Sequence, residues 1–238
     1  MLMTRKEEIA DGVTIYLGDA REILPTLPRS DAVITDPPWN RGYFTEDAKP
    51  WQEYAEWLGD FNRMYETIAA KGCIVFLSTK AIPYVAHKFV GWQTFAAVKN
   101  FSQMAKSETT IPNAWDIAFI KVNSGFKGGG RNWFHCNTAG MLADRTDHPT
   151  PRTLDVMKYT IGLFDWETII DPFCGSGTTG VAAVQLGRRF VGIEIEPSYF
   201  DISCKRISDA LKQPDMFIVS PPPRERPPEL EFNATGSK

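Results

Sequence analysis

Asp36, Pro37, Pro38 and Trp39 form the segment of the sequence whose chemistry is most direct. They close an apolar run at residues 31–35 that is typical of a buried strand, so a carboxylate, two rigid prolines and an indole stand at a strand's carboxyl end. Ligands of open α/β sheets bind at that end. The carboxylate and a carbonyl before proline can accept hydrogen bonds from an amine, and the indole can stack on a flat ring. The segment therefore favours an amino-bearing heterocycle such as a nucleobase, although Pro-Pro also simply ends strands.

A glycine-rich turn at residues 171–180, Asp-Pro-Phe-Cys-Gly-Ser-Gly-Thr-Thr-Gly, forms a second group. It follows a short apolar run and opens a helical pattern, a geometry in which glycines let a ligand approach the backbone beside a helix amino terminus. Glu194 ends the next predicted strand, where an acidic side chain commonly binds two ribose hydroxyls. The two features together predict a site for a ribose-containing cofactor.

The same glycines leave a dehydrogenase open as an alternative. Gly175, Gly177 and Gly180 satisfy the G-x-G-x-x-G dinucleotide fingerprint, which is a weak signal by itself. The preceding Asp-Pro-Phe differs from the Val- or Ile-rich approach to that fingerprint. A nicotinamide enzyme also gives no account of the segment at residues 36–39.

Alternating strands and helices supply the scaffold for both groups. Seven apolar, β-branched-rich runs are predicted to be strands, at residues 13–17, 32–35, 73–78, 95–98, 117–122, 168–170 and 190–195. Helical patterns lie between several of them, at residues 20–27, 54–70 and 178–186. This alternation predicts an α/β fold with a mostly parallel sheet and helices on both faces.

The remaining segments interrupt that rhythm. Residues 123–147 are rich in Gly and Asn and are interpreted as a long loop or small insertion. Residues 214–238 are dominated by proline and charge, which predicts an extended arm or tail. Residues 1–213 are then expected to form a single domain.

Composition excludes several classes of protein. A 43% apolar and 23% charged chain is ordinary for a globular protein, and its net charge of −3 requires any nucleic-acid contact to use a local basic patch. Four scattered cysteines indicate neither a disulfide framework nor a zinc knuckle, and His135 with Cys136 lacks further ligands, so no metal is expected. The sequence lacks an apolar run of membrane-spanning length and a signal-peptide pattern, which predicts a cytoplasmic location.

Taken together, the two motifs resemble those of the S-adenosylmethionine-dependent DNA amino-methyltransferases, which methylate the exocyclic amine of adenine or cytosine. In that family a D/N/S-P-P-Y/F/W motif binds the target base and an F-x-G-x-G loop binds the methyl donor. Here the catalytic motif precedes the cofactor loop, which resembles the β class, a circular permutation of the fold. The resemblance covers about residues 14–206 and implies a Rossmann-like, seven-stranded methyltransferase sheet in a bacterial or phage-encoded enzyme.

Two further segments extend the resemblance. Asp19, in Gly-Asp-Ala, matches the family's Gly-Asp entry, which implies a contact with the cofactor's adenine amine; an Asp there also caps a helix that begins at Ala20. Residues 148–153, His-Pro-Thr-Pro-Arg-Thr, resemble the H-P-T-x-K-P block beside the methionine part of the cofactor. Arg and Thr replace the usual Lys and final Pro, so a contact by Arg152 is geometrically altered. His148 is interpreted as structural rather than as a general base.

The resemblance therefore implies two sets of site residues. The catalytic set is Asp36, Pro37, Pro38 and Trp39. The set that binds S-adenosylmethionine is Asp19, His148, Thr150, Arg152, Asp171, Phe173, Gly175, Ser176, Gly177, Thr178 and Glu194.

The implied activity is site-specific methylation of adenine N6 in double-stranded DNA, on an adenine flipped out of the duplex. Asp at the first motif position resembles adenine methylases more than cytosine-amine methylases, which often carry Ser there. An N4-cytosine DNA methyltransferase, an RNA adenine methylase and a catalytically silent nucleic-acid-binding subunit stay open as alternatives.

DNA recognition is expected from segments outside the shared core. The candidate contacts lie at residues 41–57 and 123–147, and they are Arg41, Lys49, Lys127, Arg131, Trp133 and His135. These segments are short, so either a short target sequence or a homodimer is expected.

Overall fold

A computed structural model describes residues 5–38, 40, 49–99, 115–136 and 153–212. In these ranges nine strands form one sheet: β1 (Arg5–Ala10), β2 (Val13–Leu17), β3 (Ser30–Thr35), β4 (Ala69–Leu77), β5 (Gln93–Lys99), β6 (Trp115–Val122), β7 (Trp133–Cys136), β8 (Thr168–Asp171) and β9 (Arg189–Glu194). Their order in the sheet is β1-β2-β9-β8-β3-β4-β6-β5-β7.

The centre of the sheet is parallel. Strands β2, β9, β8, β3 and β4 pair in parallel with one another, so their carboxyl ends meet at one edge. Antiparallel pairs join β1 to β2, β4 to β6 and β6 to β5, whereas β7 pairs with β5 in parallel. The predicted mostly parallel α/β sheet is therefore confirmed.

Helices cover both faces of the sheet. The described α-helices are α1 (Ala20–Ile23), α2 (Trp51–Ile68), α3 (Ile82–Val85), α4 (Leu154–Gly162), α5 (Thr178–Gln185) and α6 (Pro197–Lys212). Short 3₁₀ turns extend α1 over Leu24–Thr26 and α3 over Ala86–Phe89. None of the helices in the described ranges is both long and apolar enough to span a membrane.

Alternation along the central strands builds two apolar cores. On β4, Ile74 and Phe76 face the core that α4, α5 and α6 cover. Cys73, Val75 and Leu77 face the other core, beneath α1, α2 and α3. Because both faces are buried, the strand reads as one continuous apolar run rather than an alternating one.

Two strands were not predicted. All seven predicted strands occur, but β1 and β7 extend the sheet at its two edges, so the count of seven is too low for the described residues. Strand β1 carries the charged sequence Arg-Lys-Glu-Glu and is almost fully exposed, so it lacks the apolar signal of a buried strand. Strand β7, Trp133–Cys136, lies within residues 123–147, the segment interpreted as a long loop or small insertion. The tail at 213–238 lies outside the described residues.

We predict that Gly180→Ala weakens the packing of α5. A Cβ atom added at Gly180 would lie 2.7 Å from the ring of Phe190 and would clash with Cδ1 of Ile207, and both side chains are fully buried. Overpacking of this kind lowers the free energy of unfolding by about 1–3 kcal/mol, which exceeds the better helix propensity of alanine. Urea titration measures the change.

The matched control is Gly162→Ala at the end of α4. A Cβ atom there meets no heavy atom within 4 Å, so the free energy of unfolding is expected to stay unchanged or to rise. Equal stability of Gly180→Ala and the parent protein contradicts the packing role.

Candidate active site

Four carboxylates lie at the carboxyl ends of four adjacent parallel strands. Asp36 directly follows β3, Asp171 ends β8, Glu194 ends β9, and Asp19 follows β2 by two residues. Strand ends of this kind form the ligand-binding edge of an open α/β sheet. The structure therefore brings together the two motifs that the sequence keeps far apart.

Asp171 connects strand β3, which Asp36 follows, to the glycine turn through hydrogen bonds. Its Oδ1 accepts hydrogen bonds from the Thr35 hydroxyl at 2.7 Å and from the Phe173 backbone N–H at 3.1 Å. The side chain is 1% exposed. Burial raises the pKa of Asp171 to about 6; the nearby negative charge of Asp36 adds to that rise, and hydrogen bonds from Thr179 and Thr35 oppose it. We expect this carboxyl group to support the site from beneath rather than to touch a ligand.

Glu194 is held at the mouth of the glycine turn. Its two carboxylate oxygens accept backbone hydrogen bonds, one from Gly175 at 2.6 Å and one from Glu196 at 2.9 Å. Burial raises its pKa, and these backbone donors oppose the rise. Since each carboxylate oxygen keeps a further lone pair, the group can still accept two hydroxyl hydrogen bonds.

The backbone of the turn depends on glycine at two positions. Gly175 has φ of +52° and Gly177 has φ of +83°, values in the left-handed region that other residues rarely adopt. Gly177 is also the residue that precedes α5, so the turn brings backbone amides to the beginning of that helix. This arrangement suits a polar ligand that approaches the backbone closely.

Arg206, on α6, fixes the turn from the side of the helix. Its guanidinium group donates to the Ser176 carbonyl at 2.6 Å, to the Ser176 hydroxyl at 3.1 Å and to the Thr178 hydroxyl at 3.3 Å. Ser176 and Thr178 are buried, and both hydroxyls accept from this guanidinium group; their contact with a cofactor stays a prediction. Sequence reasoning missed Arg206, because a single arginine on an amphipathic helix carries no motif.

Asp19 caps α1, as one reading of the sequence predicted. Its Oδ1 accepts a hydrogen bond from the Arg21 backbone N–H at 2.8 Å. Hydrogen bonds from the Arg21 guanidinium hold the pKa of Asp19 below its ordinary value. Its contact with a cofactor stays a prediction.

The proline motif is held by an aromatic cluster on α2. The Tyr54 hydroxyl donates to the Pro38 carbonyl at 2.8 Å, and the tyrosine side chain is buried. Phe173, from the glycine turn, packs against Trp57 and Phe61, with ring centroids 5.5 and 4.9 Å apart. The cluster thus contacts both halves of the site.

The candidate DNA contacts are placed less uniformly. Lys49 is exposed, and its backbone N–H donates to the Asn40 side chain at 2.6 Å. Trp133 and His135 lie on β7, four strands from β3 and therefore about 19 Å away across the sheet.

Two further candidates, Lys127 and Arg131, precede β7. The Lys127 N–H donates to the Leu163 carbonyl, in the segment where Asn123 binds the Lys71 carbonyl near the beginning of β4, so Lys127 lies towards the edge opposite the carboxylates. Arg131 lies over the Trp133 ring at 5.1 Å. The structure does not bring Lys127 or Arg131 together with the four carboxylates.

Five predicted site residues lie outside the described residues; they are Trp39, Arg41, His148, Thr150 and Arg152. Among the described residues, no group of three or more His, Cys, Asp or Glu side chains could hold a metal ion.

The described residues fit an S-adenosyl cofactor. The Glu194 carboxylate, which accepts hydrogen bonds from two backbone N–H groups, keeps lone pairs that can accept from ribose hydroxyls. The glycine turn exposes backbone amides beside it. The row of carboxylates also favours a ligand that carries positive charge, since opposite charges attract more strongly in a partly buried site.

Comparison with known proteins agrees with this geometry. A family model described as DNA methylase matches residues 93–205. The Type II methyltransferase M.ScaI of Streptomyces caespitosus is 27% identical, and the alignment covers 82% of this chain and 81% of that protein. The DNA adenine methyltransferase YhdJ of Escherichia coli is 23% identical, with 83% of each chain covered.

Two solved structures are similar over most of their length. The M1.HpyAVI–SAM complex is 27% identical with a TM-score of 0.61, and the match covers 81% of this chain and 98% of that chain. The PvuII DNA methyltransferase, described as cytosine-N4-specific, has a TM-score of 0.65 at 17% identity, over 83% of this chain and 90% of that chain. The second comparison shows likeness of fold alone.

We predict that Asp171 makes stability fall as the pH rises. Between pH 3.8, the ordinary pKa of an aspartate, and about 6, the unfolded chain has released this proton while the folded protein retains it. The folded state therefore loses about 2–3 kcal/mol across that window. Asp171→Asn keeps an oxygen that accepts hydrogen bonds from Thr35 and Phe173, but it cannot ionise. Urea unfolding from pH 4 to pH 8 should show this loss in the parent protein and its absence in the variant.

Asp11→Asn serves as the control, because Asp11 is exposed in the turn between β1 and β2. It should leave the pH dependence of the parent protein unchanged. An Asp171→Asn variant with the same pH dependence as the parent rules out the buried carboxyl as its source.

Proposed function

We propose that this chain, which belongs to the S-adenosylmethionine-dependent DNA amino-methyltransferases of the β class, methylates N6 of adenine in double-stranded DNA. The observation that carries the proposal is the position of Asp36, Pro37 and Pro38 at the end of β3, beside the Asp171 and Glu194 strand ends. Asp at the first motif position favours adenine over cytosine. The likeness to the adenine methyltransferase YhdJ supports the same choice.

The proposed cofactor site uses the strand ends beyond β8. Glu194 would bind the ribose hydroxyls of S-adenosylmethionine, Asp19 its adenine amine, and the backbone at Gly175 and Gly177 its nearest polar groups. When bound, the cofactor supplies a methyl group on a positively charged sulfur. His148, Thr150 and Arg152 are proposed to contact its methionine part.

The proposed base site lies on the neighbouring strand, β3. An aromatic amine is a poor nucleophile because its lone pair is delocalised into the ring. Hydrogen bonds accepted by the Asp36 carboxylate and the Pro37 carbonyl favour a more tetrahedral nitrogen, whose lone pair then points out of the ring plane. Asp36 and Pro37 thus act by positioning and electrostatics.

The target adenine must leave the duplex to reach Asp36, and Trp39 is proposed to stack on it. A single domain at residues 1–213 is proposed to carry both ligand sites, with residues 214–238 as an arm. Since the segments outside the shared core are short, a homodimer is proposed to complete the grip on DNA.

Product identity tests the proposed function. The protein is incubated with unmethylated DNA and isotopically labelled S-adenosylmethionine, and the digested nucleosides are identified by mass spectrometry. We expect label in N6-methyldeoxyadenosine. Label in N4-methyldeoxycytidine, label only when RNA replaces DNA, or no transfer contradicts the proposal.

The matched variant is Asp36→Ala. It should abolish transfer, because the amine loses its acceptor, while calorimetry shows largely unchanged binding of S-adenosylmethionine. Loss of cofactor binding instead shows that this carboxylate belongs to the cofactor site.

We predict that Tyr54→Phe slows methyl transfer. The change removes only the hydroxyl that holds the Pro38 carbonyl at 2.8 Å. A lost hydrogen bond of about 0.5–1.5 kcal/mol corresponds to a fall in kcat of about two- to tenfold if it positions the motif for the reaction. Single-turnover rates at saturating cofactor and DNA measure the effect.

Tyr65→Phe is the control, since the Tyr65 hydroxyl is buried on the same helix and has no hydrogen-bond partner among the described residues. It should leave the rate unchanged. A Tyr54→Phe variant with the parent rate means that the hydroxyl is dispensable for positioning.

A further inference from the structure

We propose that Tyr84, stacked on Trp51, binds a nucleobase of the DNA that neighbours the target base, with Lys49 and Lys80, which lie close to the two rings in sequence, contacting phosphate. The inference rests on the proposed function and deepens it, because it assigns a second base-binding position beside the first. The four residues are called the Trp51–Tyr84 platform below.

The two rings of the platform form a parallel stack. Their centroids lie 4.6 Å apart and their planes differ by 5°. Tyr84 is nevertheless 43% exposed. Trp51 covers one face of the tyrosine ring, and an exposed flat ring of this kind is a stacking surface for any base.

A short series of contacts connects the platform to the proline motif. Trp51 packs edge-on against Tyr54, with centroids 5.9 Å apart. Tyr54 in turn donates its hydroxyl to the Pro38 carbonyl. Tyr84 lies on α3, which follows the carboxyl end of β4, the strand next to β3. The platform therefore shares the edge of the sheet at which the target base is proposed to bind.

Two lysines give the platform the charge that a nucleic acid requires. Lys49 precedes Trp51 by two residues, Lys80 lies in the turn before α3, and both are exposed. Within the described ranges neither ammonium group has an ion-pair partner, whereas the nearby Lys88 pairs with Glu56 at 2.7 Å. If the contact between Trp51 and Tyr84 served only to pack α2 against α3, it would not require lysines without ion-pair partners beside it. Aromatic rings interleaved with cations are typical of surfaces that bind unpaired bases and phosphates.

Glu53 is the acidic residue in the first turn of α2. It is two positions from Trp51, and residues two apart on a helix face in different directions. Glu53 and Trp51 therefore lie on different faces of α2.

Strand-binding assays separate stacking from phosphate contacts without requiring the target sequence. The full-length protein is titrated into a fluorescent single-stranded DNA of mixed sequence and into an abasic strand of the same length. Stacking contributes about 1–3 kcal/mol per base, so we expect the parent protein to prefer the strand with bases and Tyr84→Ala to weaken that binding about tenfold. Binding to the abasic strand should change little.

Three further variants make the result specific. Tyr84→Phe should bind like the parent, and Tyr84→Leu, which keeps an apolar contact with Trp51 but lacks a flat ring, should behave like Tyr84→Ala. The paired change Lys49→Ala and Lys80→Ala should weaken both strands equally and reduce the salt dependence by about one for each lysine. Phe126→Ala is the matched control, since Phe126 is 52% exposed and packs on Phe164 away from the platform.

The outcomes distinguish this inference from the function on which it rests. Parent affinity for the base-bearing strand in both Tyr84→Ala and Tyr84→Leu overturns the platform, even if the parent protein methylates DNA. An equal loss on the abasic strand also overturns it, because the effect is then not on base stacking. A protein that loses base-dependent binding with these variants but transfers no methyl group to DNA supports the platform and contradicts the methylation proposal.

Discussion

The buried hydrogen bond between Thr35 and Asp171 is the contact on which the site depends. It connects the last residue of β3 to the last residue of β8, and the same oxygen of Asp171 also accepts from the Phe173 N–H. Asp36 is the first residue after β3, and the glycine turn is the first segment after β8. Together with the pairing of β3 and β8, this carboxyl group therefore fixes the proposed acceptor of the amine relative to the turn proposed to bind the methyl donor.

The arrangement has an electrostatic cost. Asp36 repels the Asp171 carboxylate, and burial raises the pKa of both Asp171 and Glu194. The protein offsets this cost with backbone N–H donors to Glu194 and with the guanidinium of Arg21 at Asp19. A positively charged ligand relieves more of the repulsion, which is consistent with a sulfonium cofactor.

Much of this edge could be predicted from sequence because parallel strands bring their carboxyl ends together. Once residues 32–35, 168–170 and 190–195 were interpreted as strands of one parallel sheet, Asp36, Asp171 and Glu194 had to lie close to one another. The support for these residues could not be predicted. The contacts of Tyr54 with Pro38 and of Arg206 with Ser176 join residues far apart in the chain, and neither residue type marks a motif.

The edges of the sheet escaped prediction for a different reason. Strand β1 pairs with one neighbour and stays exposed, so backbone hydrogen bonds rather than apolar burial define it. Strand β7 lies in a segment whose glycines indicated a loop. The sequence also does not predict that Asp171 is buried, because an Asp before a glycine turn is typical both of a ligand contact and of a structural support.

A crystal structure of the full chain with S-adenosylhomocysteine tests the central claim, that the Thr35–Asp171 hydrogen bond holds the cofactor site beside the base site. We expect both ribose hydroxyls to donate to Glu194, the sulfur to face the side of the turn on which Asp36 lies, and the Thr35–Asp171 hydrogen bond to stay intact. A ribose bound away from Glu194, or a sulfur that faces away from Asp36, contradicts the account.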